Sequence, residues 1–295
     1  MTNVGFIGLG SMGFPMACAV SDAGFRVSFC ARSQATKEKG AAAGFELKST
    51  CFQLSTCDLV IVAVRDYAQA LSCLEGEEGL LTKGEFAGCV IMTSTITPEE
   101  ASDLARRCSM HCAGYLSAPV SGGVSGAENR ALLSMVSGDE RWLRLARPAI
   151  CAYSLKAVYF GARPENACVV KSIIQMLINA NILATSEAYL IAKENGIDPQ
   201  GLYDSVMLSS AYSKMFEKRF VSLIDNNRDT GMSDVAIHAK DSLISLAVAE
   251  KVRMHEFLPM VRICGEVFSV AQKRDAGADA VFALEEYLES LDRYR

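Results

Sequence analysis

The sequence predicts an α/β protein in two parts. A doubly wound parallel sheet occupies residues 1–163. A long connecting helix over 164–195 then leads an all-α C-terminal domain that completes 164–295. Three observations carry this reading. Short, continuously apolar runs alternate with helical stretches through the first 160 or so residues. A glycine-rich turn follows the first of those runs, and strand-like runs stop after Gly161. At about 150 residues per domain, 295 residues suit two domains. Half of the residues are hydrophobic and 21% are charged, which supplies a large core and excludes a disordered chain or a small disulfide-stapled scaffold.

Val4-Gly5-Phe6-Ile7 reads as a buried strand, followed by the glycine turn and a helix from about Met12 to Ala23. Arg26-Val27-Ser28-Phe29-Cys30 is the second strand. Leu59-Val60-Ile61-Val62-Ala63-Val64 is the clearest of all, apolar throughout and rich in β-branched side chains. Gly88-Cys89-Val90-Ile91-Met92 follows, and a helix opens at Pro98-Glu99-Glu100, with proline at an early helical position. Apolar strands separated by helices describe βαβ units in a sheet covered on both faces. Glu165 to about Asn195 reads as one helix, about 45 Å long at 1.5 Å per residue. Gly196 ends it and Asp198-Pro199 starts the next. Four helical segments are expected beyond it, near 199–209, 212–225, 234–252 and 257–275.

Gly8, Gly10 and Gly13 form G-x-G-x-x-G directly after a strand and at the start of a helix. In a Rossmann-type domain the first glycine allows the tight turn and the second lets pyrophosphate approach the backbone. The third lets the helix pack closely on the strand, whose helix N-terminus then faces the phosphates. Leu9, Ser11 and Met12 belong to the same loop. An NAD site places an acid at the end of the second strand, but this chain has Cys30-Ala31-Arg32-Ser33. Arg32 can pair with a 2′-phosphate through its planar fork and Ser33 can add a hydroxyl, so NADP is favoured over NAD. The bland alternative makes Arg32 a solvated loop residue.

The net charge of -5 leaves little basic surface for nucleic acid or an anionic membrane. Eleven cysteines form no C-x-x-C pair and no regular framework, and most sit in apolar runs. A reduced, cytoplasmic protein without a metal site is expected. No signal peptide is evident. The apolar stretch from Cys168 to Ile191 is broken by Lys171, Gln175, Asn179, Asn181 and Glu187, which suits a buried helix better than a membrane span.

Four segments in order resemble one family. They are Gly5 through Ala17 in full, Ala118-Pro119-Val120-Ser121-Gly122-Gly123 with Gly126-Ala127 beyond, Lys171 on the long helix, and Lys240-Asp241. The chain resembles the β-hydroxyacid dehydrogenases, the group of 3-hydroxyisobutyrate dehydrogenase, tartronate semialdehyde reductase, 6-phosphogluconate dehydrogenase and L-threonate dehydrogenase. The resemblance implies hydride transfer between NAD(P) and a small 3-hydroxy acid. It makes Ser121, Gly122 and Gly123 the substrate motif, Lys171 the catalytic lysine, Lys240 a residue beside substrate and nicotinamide, and Thr95 a nicotinamide contact. It also implies a homodimer or homotetramer. Ser213 through Arg219 resembles the L-threonate branch, which suggests a hydroxylated four-carbon acid.

The residue chemistry is compatible with those roles. A Ser-Gly-Gly loop after a strand offers amides and a hydroxyl to a carboxylate, or is simply a turn. Val64 and Arg65 end a parallel strand, where ligands of such sheets sit. Lys171 lies among Ala167, Cys168, Val169, Val170, Ile173 and Ile174, so burial should lower its pKa toward that of a general acid/base. The alternative is a lysine reaching solvent from the helix flank. Gln175, at i+4, shares its face and could orient the hydroxyl or the lysine. The chain departs from the family pattern at Gln175 for Asn, Glu165-Asn166-Ala167 for Gly-x-Gly, Ser117 for Asp and Arg130 for Gly. His111, His238, His255 and Trp142 are assigned to surface or core packing. An imine-type reductase and a cofactor-binding scaffold without turnover stay as alternatives.

Overall fold

The computed structural model describes residues 2–230, 233–253 and 255–292. They divide into two compact units, Met1–Lys171 and Ser172–Arg295. The first unit opens with β1 (Asn3–Ile7), α1 (Gly13–Asp22), β2 (Arg26–Cys30), α2 (Gln34–Ala42) and β3 (Glu46–Leu47). It continues through β4 (Leu59–Val62), α3 (Tyr67–Glu75), β5 (Cys89–Met92), α4 (Pro98–Met110) and β6 (Gly114–Ser117). Then come β7 (Val120–Ser121), α5 (Gly123–Glu128), β8 (Leu132–Gly138), α6 (Glu140–Tyr153) and β9 (Ser154–Tyr159). Strand order is β3-β2-β1-β4-β5-β6-β8-β7, with β9 on β8. β3 through β6 along that order are parallel, so the expected Rossmann-type doubly wound sheet is present.

Every residue of β4 and β5 is buried, and the strand period of two sends them alternately to opposite faces. Leu59, Ile61 and Ile91 join Phe6 and Phe29 in one apolar cluster, while Val60, Val62, Val90 and Met92 join the other. Each such side chain contributes about 1.5–3 kcal/mol on burial, which is why continuous apolar runs were the readable signal. α4 starts on a capping box. Thr97 accepts from the Glu100 amide, Glu100 accepts from the Thr97 amide, and Pro98 fills the first turn.

The far edge of the sheet differs from a purely parallel one. β8 runs antiparallel to β6 and β7, and β9 pairs with β8 in parallel. These strands mix serines, glycine and apolar residues, so they lack the unbroken apolar runs that marked the others.

α7 (Glu165–Glu194) is the long helix and spans the end of the first unit and the start of the second. Its length and a mean hydropathy of 1.6 over an 18-residue window would suffice to cross a membrane, although the sequence suggested too many polar interruptions. Part of that apolarity is core: Ile182 and Leu183 pack with Leu223, Val267 and Phe268. The second unit continues with α8 (Pro199–Met207), α9 (Lys214–Ile224), α10 (Val235–Ala249), α11 (Pro259–Arg274) and α12 (Ala283–Asp292). No strand is present there among the described residues. Five helices follow α7 where four were expected. α12 was missed, although Leu284, Tyr287, Leu288 and Leu291 repeat at helical spacing.

Candidate active site

The chain leaves β1, forms β2 and β3 on one side, and returns to place β4 on β1's other side. The crevice at the carboxyl ends of β1 and β4 is therefore a topological switch point, where open α/β sheets bind ligands. The glycine loop stands there. Gly8 has φ +91°, and a Cβ on it would lie 2.4 Å from the Ala63 carbonyl oxygen. A Cβ on Gly13 would lie 2.1 Å from the Gly8 oxygen. At Gly10 a Cβ would meet nothing within 4 Å. Two glycines thus close the turn, and the middle one leaves an open cradle that a side chain would fill. Beside it, the N-cap of α1, Met12, makes no side-chain cap, and the first turn carries no acidic residue. Those amides suit an anionic group, so the loop fits a dinucleotide pyrophosphate.

At the end of β2 the Cys30 carbonyl accepts from the Gly8 amide, tying this strand end to the loop. Arg32 is exposed just beyond. Ser33 caps α2: its hydroxyl accepts from the Thr36 amide at 3.2 Å and donates to Thr36 Oγ1 at 2.7 Å. Its hydroxyl hydrogen is therefore already engaged, and a phosphate donor role would require that bond to be exchanged. Lys37, one turn into α2, acts electrostatically on Cys30 and so is a second cation at this strand end. The sequence reading passed over it. Its spacing of four from Ser33 on a helix was the available signal.

The carboxyl ends of neighbouring strands carry the next residues. Val64 is half-buried, and its carbonyl accepts from Ser94 Oγ at 2.5 Å. Arg65 is exposed, with its amide donating to Gln69 Oε1. Thr95 follows β5 and is half-buried. In the Ser121 loop, Gly122 and Gly123 have φ of +138° and +67°, conformations that side chains resist. Ser121 ends β7 and is partly exposed beside them.

Lys171 is 6% exposed, on α7. Gln175 and Asn179 follow at four-residue intervals, also buried, so one face of this apolar helix is polar. Within the second unit those two amides are held tightly. Gln175 Nε2 donates to Asp241 Oδ2 at 2.5 Å. The other Asp241 oxygen lies 3.2 Å from Lys240 Nζ, an ion-pair contact that lacks hydrogen-bond geometry. Asn179 Nδ2 donates to Ser242 Oγ at 2.7 Å, which leaves Asn179 Oδ1 to accept from His238 Nδ1 at 2.6 Å. His238 Nε2 then accepts from Ser233 Oγ, itself the acceptor of Arg219 Nη2 at 2.6 Å. Arg219 ends the chain of bonds on Asp279. His238 is thus a hydrogen-bonded core residue. The residues in this chain of bonds are up to 100 positions apart, which hid it from the sequence.

His111 sits at the end of α4, 3.8 Å from Glu75. The side chain of His255 lies outside the described residues. Trp142 covers Gly114, where a Cβ would come within 2.2 Å of the indole. Two departures from the family pattern have local explanations. Arg130, where glycine is common, takes φ +56° and pairs with Asp22. Ser117, in place of the frequent acid, is 1% exposed and donates to the buried Tyr115 hydroxyl at 3.3 Å. A carboxylate there would be a buried charge.

Comparison with known proteins adds the family. Residues 3–161 match the model of the NAD-binding domain of 6-phosphogluconate dehydrogenase. Residues 166–287 match the NAD-binding model of NADP-dependent 3-hydroxyisobutyrate dehydrogenase. The chain belongs to the β-hydroxyacid dehydrogenase family. An L-threonate dehydrogenase of Cupriavidus necator is 31% identical over 94% of this chain and 93% of its own length. A 2-hydroxy-3-oxopropionate reductase of Escherichia coli is 30% identical over 90% of each. The crystal structure of a 3-hydroxyisobutyrate dehydrogenase from Salmonella typhimurium superposes with a TM-score of 0.86 at 25% identity, covering 97% of this chain and 99% of the other. The protein is an NAD(P)-dependent hydroxyacid dehydrogenase, as these matches establish at family level.

Proposed function

We propose that this dehydrogenase oxidises a small 3-hydroxy acid with NADP, with Lys171 as general acid/base, and that a four-carbon acid resembling L-threonate is the first substrate to try. One observation carries the proposal: Lys171 is a buried lysine on the polar face of an otherwise apolar helix. A titratable amine held at that buried position suits proton exchange with a hydroxyl that becomes a carbonyl. The bound nicotinamide supplies the hydride acceptor, or the donor in the reverse direction.

In this reading Ser121 and the Gly122 and Gly123 amides hold the substrate carboxylate, and the positive φ of both glycines keeps that loop open. Lys171 takes the hydroxyl proton. Gln175 orients the reacting oxygen, and its bond to Asp241 fixes the rotation of its amide. Asp241 also pairs with Lys240, so one carboxylate positions both groups. Lys240 is assigned to the substrate and the nicotinamide, and Val64, Arg65 and Thr95 to the cofactor. Gly8 through Gly13 hold the pyrophosphate. Location in the cytoplasm is part of the same proposal.

Arg32 is the residue proposed to choose the cofactor, since no acid stands at the end of β2. A charge-assisted pair with phosphate is worth about 1.5–3 kcal/mol, or roughly 10–100-fold in affinity. Arg32→Ala should raise the KM for NADP by that order and leave the KM for NAD nearly unchanged. Equal losses for both cofactors would make Arg32 a solvated loop residue.

A homodimer or homotetramer is also proposed. Ile173 and Leu177, one turn apart on α7, and Ile237 and Leu243 on α10 are exposed apolar side chains. Light scattering at micromolar concentration should give a mass of two or four chains, and a mass near 31.8 kDa would contradict it.

A further inference from the structure

Three thiols meet at the β2 end of the cofactor crevice. Cys30 closes β2, Cys51 precedes the short 3-10 turn Phe52–Thr56, and Cys73 lies on α3. Cys51 Sγ is 3.7 Å from Cys30 Sγ. Cys73 is near enough to act on the Cys51 thiol, so Cys51 neighbours both of the others. All three are partly exposed, and small oxidants can reach them. Among the described residues, no group of His, Cys, Asp or Glu is placed to hold a metal ion, these thiols included.

We propose that Cys30, Cys51 and Cys73 form an oxidative modification site for hydroperoxides, which closes as a disulfide through Cys51. Its chemistry differs from that of the other cysteines. Burial pushes the thiols of Cys57 and Cys264 up to about 11 and those of Cys108 and Cys168 up to about 12, which makes them poor nucleophiles. Cys73 is instead drawn down to about 7, chiefly by the Cys51 thiol donating to it, with Arg32 adding a positive charge. Cys30 is lowered in the same way by Cys51, with Lys37 favouring its thiolate and Glu78 opposing it. Cys51 is raised, first by its hydrogen bond to Cys30, then by its interaction with Cys73 and by burial, and its single S–H proton serves one neighbour at a time.

The steps balance. The Cys73 thiolate attacks one peroxide oxygen, the O–O bond breaks, and a sulfenic acid forms as hydroxide leaves. Cys51 then attacks the sulfenic sulfur, the S–O bond breaks and the S–S bond forms. Hydroxide departs from that sulfur and leaves as water with the Cys51 proton. Two thiols are oxidised and one peroxide is reduced to two waters.

The site is coupled to the cofactor through two residues. Arg32 acts on the Cys73 thiolate and is also the proposed partner of the 2′-phosphate. The Cys30 carbonyl holds the Gly8 amide of the glycine loop. NADP binding should draw Arg32 away from Cys73 and slow oxidation, by about tenfold for one charge-assisted bond. The modification itself does not depend on the proposed function. Only the protection by NADP rests on it.

The test treats the whole protein, in a Cys112→Ser and Cys151→Ser background that removes the two exposed thiols, with submillimolar hydrogen peroxide. Intact mass and non-reducing peptide maps are followed with and without saturating NADP. The expected result is loss of two hydrogens, mapped to a peptide joining Cys51 to Cys73 or Cys30, formed faster as pH rises through 7. Cys51→Ser should abolish it. No disulfide, or one elsewhere in the chain, would overturn the proposal, and the peroxide-treated background protein, with Cys51 intact, gives this answer even if the Cys51→Ser variant fails to fold. A disulfide through Cys51 that NADP does not slow would support the site while overturning the role given to Arg32.

Discussion

Lys171→Ala is expected to lower kcat for the hydroxy acid by about 10²–10⁴-fold, the usual contribution of a positioned general acid/base, while NADP still binds. Most surface lysines carry their charge into water along a flexible stem, and truncating one changes little. This side chain is 6% exposed, among the apolar residues of α7 and next to a face carrying Gln175 and Asn179. Lys171→Arg sharpens the test, because it keeps the charge but holds its proton at any working pH. It should be nearly as inactive as the alanine variant. Steady-state rates with saturating cofactor, beside cofactor titration by nicotinamide fluorescence, separate loss of chemistry from loss of binding. Activity within a few-fold of wild type in either variant would remove Lys171 from the proton path.

The glycine loop predicts a second large and divided effect. Gly10→Val should leave the fold intact, since a Cβ there meets nothing within 4 Å. It should weaken NADP and NAD alike by roughly 10–100-fold, the value of one or two lost amide–phosphate bonds. Gly8→Ala should act the other way. It combines φ +91° with a contact of 2.4 Å to the Ala63 carbonyl, so the backbone must move. A cost of about 3 kcal/mol or more is expected, seen as a Tm lower by roughly 5–10 °C. Thermal melts beside cofactor titrations check both. If Gly10→Val binds cofactor normally, the pyrophosphate does not lie on that loop.

Four of the six parallel strands, β1, β2, β4 and β5, were legible because they are largely buried, whereas the short, exposed β3 and the strand β6 were not named. Leu59 through Val62 and Cys89 through Met92 have no polar residue to obscure them. β8 and β9 were not, since Leu132-Leu133-Ser134-Met135-Val136-Ser137-Gly138 mixes signals and pairs antiparallel with β6. The local parts of the site were equally readable. The glycine loop, the Ser121 loop and the four-residue spacing of Lys171 and Gln175 are short-range patterns.

Contacts between distant residues gave no such signal. The bond from Gln175 to Asp241 joins residues 66 positions apart and ties the aspartate of the Lys-Asp pair to the long helix. The thiols were counted as small hydrophobes one at a time. Only the fold brings Cys30, Cys51 and Cys73 together. The engagement of Ser33 as a helix cap was likewise visible in sequence only as a hydroxyl near an arginine.

The central claim is oxidation of a small hydroxy acid at this site with a nicotinamide cofactor. The most direct measurement is nicotinamide absorbance during incubation of the purified protein with L-threonate, D-glycerate and 3-hydroxyisobutyrate, each with NADP and with NAD. Substrate-dependent reduction of the cofactor, faster with NADP and greatest for one acid, is the predicted result. If NADP binds but no acid is oxidised with either cofactor, the proposed substrate class and the catalytic assignment of Lys171 both fail.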